Sequence, residues 1–90
     1  MGLDLDPPRP EEYLVHLCSN LGVPENIESA SREVLDECSP GSGNPIGIAG
    51  AGIYQACRRE GEEITLRRIA SVTGITKETI WRQVNNMDGN

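Results

Sequence analysis

The sequence predicts an all-α fold, a five-helix bundle with a central helix of small residues and a helix-turn-helix at the C-terminal end. Three observations predict it. Apolar residues recur at helical spacing in successive segments, and no stretch alternates as a strand would. The aromatic residues are Tyr13, Tyr54 and Trp81, with no phenylalanine, so the core must come from Leu, Ile, Val, Ala and Cys packed between helices. Ninety residues make one small domain, near the size at which a single apolar core suffices.

The elements follow in order. Residues 1–9 carry prolines and aspartates and read as a lead-in or the remnant of an interdomain linker, ahead of a domain at 10–85 and a tail at 86–90. Leu14, Leu17, Cys18 and Leu21 form the stripe of an amphipathic helix over Pro10–Leu21, which Gly22 and Pro24 stop. Ile27, Ala30, Ser31, Val34, Leu35 and Cys38 repeat that spacing in a second helix after Pro24. Residues 39–44 are all turn-formers and predict an exposed loop. From Pro45 to Cys57 nearly every residue is apolar or small, which places this helix at the centre of the bundle with neighbours close on several sides. Its glycines Gly47, Gly50 and Gly52 each cost about 1 kcal/mol of helix propensity, so packing must hold it helical. They do not spell G-x-G-x-x-G and follow no strand, which excludes a nucleotide loop.

After Arg58–Gly61, Thr65 caps a fourth helix with Leu66, Ile69 and Ala70 inward. Gly74 closes it, and Thr76 caps a fifth helix whose inward face is Ile80 and Val84.

The formal net charge is −6, yet its distribution is uneven. From Ile64 to Val84, Arg67, Arg68, Lys77 and Arg82 stand against Glu78 alone, a local +3 that leaves −9 for the rest of the chain. Cys18, Cys38 and Cys57 have no C-x-x-C spacing and read as small apolar residues on helices, so neither a disulfide framework nor a metal site is expected. No apolar run is long enough for a membrane span, and a soluble intracellular protein is expected. Catalysis is not expected either. His16 is the only histidine, and the adjacent carboxylates Glu11-Glu12 and Glu62-Glu63 read as solvated pairs.

Leu66 to Val84 has the spacing of a DNA-binding helix-turn-helix. Ala70 is small where the helices cross, Gly74 sits where the turn needs positive φ, and Ile69, Ile75, Ile80 and Val84 fill the wedge. In this geometry the second helix enters the major groove with its N-terminal residues toward base edges. The candidate DNA-binding residues are Arg67 and Arg68 as phosphate anchors, with Thr76, Lys77, Glu78, Thr79, Trp81 and Arg82 on the groove side.

Arg9-Pro10 with Tyr13, Leu21-Gly22, Pro45-Ile46-Gly47-Ile48-Ala49 through Ala51 and Tyr54, then Thr65, Arg67, Ile69-Ala70 and Gly74-Ile75-Thr76 through Thr79-Ile80 carry a family resemblance. Together they resemble the second cyclin-like repeat of archaeal transcription factor B and eukaryotic factor IIB. The resemblance implies a five-helix cyclin fold, docking beside the TATA-binding protein, and contact with promoter DNA upstream of the TATA box. It also implies recruitment of RNA polymerase through other parts of a longer factor, an archaeal cytoplasmic setting at the nucleoid, a monomer, and no cofactor. Two pairs of residues depart from the pattern. Gly50 and Gly52 stand where the family has Ala, which should loosen the central helix; Glu78 and Trp81 stand in place of a small apolar residue and a base-reading Arg. Trp81 either meets the DNA or folds back over the helix pair. It also motivates an alternative, a cyclin-box module that binds protein and no DNA.

Overall fold

The computed structural model describes residues 10–37 and 45–87, which form α1 (Pro10–Leu21), α2 (Glu25–Glu37), α3 (Pro45–Glu60), α4 (Leu66–Thr73) and α5 (Lys77–Met87). The lead-in at 1–9, Cys38 with the turn-rich run 39–44, and residues 88–90 lie outside the described residues. The first helix has the bounds its stripe predicts. Two helices run on: α3 continues past Cys57 to Glu60, and α5 past Asn85 to Met87.

Each predicted stripe faces inward. Leu14, Leu17, Cys18 and Leu21 of α1 and Ile27, Val34 and Leu35 of α2 are buried. Ser31, on the same stripe, is fully buried because its hydroxyl donates to the Ile27 carbonyl at 2.7 Å. That bond removes the penalty of an unpaired buried hydroxyl.

α3 is the centre of the bundle and packs against all four other helices. Every residue from Gly47 to Ile53 is buried, as are Ala56 and Cys57. Its glycines correct the expectation of a loosened helix. A methyl at Gly50 would meet Cγ2 of Ile69 at 2.9 Å and of Thr73 at 3.3 Å, and one at Gly52 would meet Leu35 Cδ2 at 3.0 Å. The glycines therefore set how closely α4 and α2 approach α3, and close packing offsets the propensity they cost.

At the helix rims, Glu37 pairs with Arg59 at 3.0 Å and Asn26 reaches Glu60 at 3.4 Å, both joining α2 to the C-terminal end of α3. These contacts are exposed and contribute little; the apolar interface carries the stability.

Candidate nucleic-acid interface

The helix-turn-helix is built from local signals. Thr65, extended at φ −109° and ψ 152°, caps α4 by accepting the Arg68 N–H at 3.1 Å. Gly74 adopts the left-handed conformation at φ 76° and donates its N–H to the Ala70 carbonyl at 2.8 Å, where a side chain would be strained. The Thr73 hydroxyl donates to the Ile69 carbonyl at 2.8 Å and accepts the Ile75 N–H at 3.2 Å, which fixes the turn. Thr76 then caps α5 by accepting the Thr79 N–H at 3.3 Å. Ile69, Ile80 and Val84 are fully buried in the wedge, with Ile75 partly buried against them.

The burial of Ile80 fixes which residues of α5 face outward. Successive helix positions differ by about 100°, so Glu78 and Arg82, two positions to either side, lie nearly opposite Ile80 and are exposed. Trp81, one position on, lies on the flank. Lys77 and Thr76 are exposed at the N-terminal end, whereas Thr79 is half-buried with its hydroxyl 2.9 Å from that of Thr76. Thr79 thus belongs to the cap. Arg67 is exposed on α4. Arg68 is exposed too, but its guanidinium donates to the Leu21 carbonyl at 3.2 Å, placing a cation on the C-terminal end of α1, where the helix dipole favours it.

Trp81 folds back on α3. Its indole meets the Tyr54 ring edge-to-face, with centroids 6.3 Å apart and planes at 84°, yet remains 43% exposed. The Arg58 guanidinium sits over the same Tyr54 ring, 5.9 Å from its centroid. Beside them opens a cleft of about 420 Å³, lined by Tyr54, Arg58, Glu62, Glu63, Ile64 and Arg68. Tyr54 and Arg58 were absent from the sequence-derived set because nothing in helical spacing connects α3 to α5. His16 is exposed on α1, remote from this surface in the chain. Among the described residues, no three of His, Cys, Asp and Glu come together as metal ligands would, and no helix is long and apolar enough to cross a membrane.

Comparison with known proteins places this architecture. Residues 4–89 match the family described as Transcription factor TFIIB repeat. The chain is 34% identical over 85 residues to Transcription initiation factor IIB of Methanopyrus kandleri, covering 89% of this chain and 27% of that protein. It is 38% identical over 85 residues to the same-named factor of Methanosarcina mazei, covering 89% of this chain and 25% of that protein. A further relative is Transcription initiation factor IIB 7 of Halobacterium salinarum, 31% identical over 84 residues, covering 89% of this chain and 26% of that protein. The chain thus spans about a quarter of the length of these relatives, whose shared name is that of an initiation factor and not an enzyme. With its five helices, its buried small-residue α3 and a family match over nearly its whole length, the chain belongs to the transcription factor TFIIB repeat family and has that family's cyclin-like all-helical fold.

Proposed function

We propose that this chain acts in transcription initiation as the C-terminal core repeat of an archaeal-type factor B, binding promoter DNA upstream of the TATA box beside the TATA-binding protein. RNA polymerase is recruited through other parts of the longer factor. The setting is the archaeal cytoplasm, at the nucleoid, and the repeat acts as a monomer. One observation carries this reading: two helices joined by a capped, glycine-closed turn lie within the one stretch of net positive charge, and the outer face of the second is polar and exposed. Such a helix fits the major groove with its first turns toward base edges.

In this reading Arg67, Lys77 and Arg82 meet phosphates, and Arg68 adds a further contact with the N–H groups that the Leu21 carbonyl leaves free. Thr76 and Thr79 hold the N-terminus of α5, whose orphan N–H groups donate to a phosphate. Glu78 and Trp81 change the chemistry at the groove. An Arg makes a bidentate pair with guanine that discriminates by roughly 1–3 kcal/mol. An indole offers one donor and cannot make that pair, and the Glu78 carboxylate, an acceptor, can take a bond from a cytosine amino group but none from the acceptor edge of guanine. Direct readout of guanine is therefore lost here.

Selection from a randomised duplex in complex with the TATA-binding protein tests this, comparing the native chain with a Glu78→Val, Trp81→Arg double variant. The double variant is expected to gain preference for a guanine-containing upstream element while the native chain shows little. Equal and strong selection by both would refute it. The 43% exposure of Trp81 favours one other reading, a protein-binding cyclin box, in which neither form selects any duplex.

A further inference from the structure

Resting on the DNA-binding reading above, we infer that Tyr54 of α3 is the positioning residue for Trp81 and that Trp81 contacts the deoxyribose wall of the groove in place of a base edge. The DNA face therefore extends beyond the helix-turn-helix. Three observations combine. Trp81 lies about a quarter-turn from the buried Ile80 and so on the flank of α5, away from the outermost line of Glu78 and Arg82. Its indole is held edge-to-face on Tyr54 while 43% of it stays exposed, so the ring is oriented before any partner arrives. Arg58, whose guanidinium lies over the Tyr54 ring at 5.9 Å from its centroid, is an exposed cation beside the pair.

Held back on Tyr54, the indole at this flank position stays at the groove's side, where sugars alternate with phosphates, whereas a longer side chain without that contact reaches the bases from the same position. An apolar indole surface suits the sugar, and Arg58 suits the adjoining phosphate. Neither contact depends on base identity. Holding the ring in one rotamer lowers the entropy lost on binding, so the Tyr54 contact strengthens the complex without touching DNA.

Trp81 is the one tryptophan of the chain, so its emission reports on this contact directly. The 90-residue chain is titrated at low salt with two short duplexes, one rich in A·T and one rich in G·C. The native emission is expected to change equally with both. Tyr54→Phe, which keeps the ring, binds both duplexes like the native chain. Tyr54→Leu red-shifts the free emission and weakens both duplexes by the same roughly three- to tenfold factor, the range that loss of an aromatic pair implies. Trp81→Leu, at an exposed position where folding is not at stake, removes the fluorophore, so its binding and that of the double variant are read from the anisotropy of a labelled duplex; it weakens both duplexes by a similar factor, and combining it with Tyr54→Leu adds nothing further. A merely structural role for Tyr54 would make the two losses add. Native binding with Tyr54→Leu unaffected, additive losses, or weakening of one duplex alone would overturn the inference. Absence of any response from the native chain to either duplex overturns the DNA-binding reading beneath it.

Discussion

α3 and α5 pack side by side and obey opposite constraints. From Gly47 to Ile53, α3 is buried at every position and touches four helices, so each residue is set by the volume its neighbours leave. α5 buries Ile80 and Val84 fully and exposes Lys77, Glu78, Trp81, Arg82, Asn85 and Asn86. The difference teaches where this chain is free to vary. Departures from the family pattern in α3 alter how close helices come; departures in α5 alter what the surface can bind and leave the fold untouched.

The largest effect that would sharpen this contrast is overpacking of α3. Ala51 is fully buried, and Ala51→Leu is expected to destabilise the fold by about 1–3 kcal/mol, seen as a lower Tm. Arg82→Ala, on exposed α5, should change stability by no more than about 0.5 kcal/mol. Comparable losses in both variants would break the contrast.

A smaller effect separates the two glycines of α3. Alanine regains about 1 kcal/mol of helix propensity at either position. At Gly50 the new methyl meets Ile69 Cγ2 at 2.9 Å, on a branched, fully buried side chain that cannot swing away. The expected overpacking of about 1–3 kcal/mol outweighs the gain, and Gly50→Ala destabilises. At Gly52 the approach is looser, 3.0 Å to Leu35 Cδ2 and 3.2 Å to its Cγ, and Leu35 must give by only a few tenths of an ångström, so Gly52→Ala should cost less than Gly50→Ala. Denaturant midpoints of the two variants, ranked in the reverse order, would contradict the close-approach explanation.

The buried thiols give the smallest and most selective effect. Burial, reinforced by the Glu28 carboxylate at Cys18 and Glu62 at Cys57, pushes both from an ordinary value near 9 to about 11. Between those values the folded chain keeps protons the unfolded chain has released. Their contribution to stability is therefore intact below pH 9 and is lost as pH rises toward 11. In a Cys38→Ser background, alkylation near pH 8 should be slow in the native chain and equally slow with Arg82→Ala, but faster with Ala51→Leu. Fast alkylation of the native chain would contradict a closed α3 core.

Much of the fold was legible because its signals are local. The stripes of α1 and α2, the caps Thr65 and Thr76, and the left-handed Gly74 each depend on residues within a few positions, and periodicity and turn chemistry read such patterns directly. Tertiary consequences were not legible. Gly50 and Gly52 were expected to loosen α3 because propensity is a local quantity, whereas Ile69 and Leu35, which fill the space, lie on other helices. The Arg68 tether to Leu21 joins residues 47 positions apart. Of the candidate interface, the exposed face of α5 followed from one buried residue, Ile80; the Tyr54–Trp81–Arg58 group required the crossing of α3 and α5 and left no mark on either helix alone.

The central claim is that the basic stretch 64–84 on an otherwise acidic chain binds duplex DNA weakly alone and firmly beside the TATA-binding protein. Duplex titration at low and at physiological salt, with and without that partner, tests it most directly. Without the partner, binding should be weak and fall with a slope of log affinity against log salt of about −3.6, as the phosphate contacts of Arg67, Arg68, Lys77 and Arg82 at about −0.9 each require; Arg67→Ala and Lys77→Ala should each make that slope shallower by about 0.9 and weaken all sequences alike. With the partner, binding should persist at physiological salt. Nanomolar binding by the chain alone at physiological salt, or no binding even at low salt with the partner present, would contradict the account.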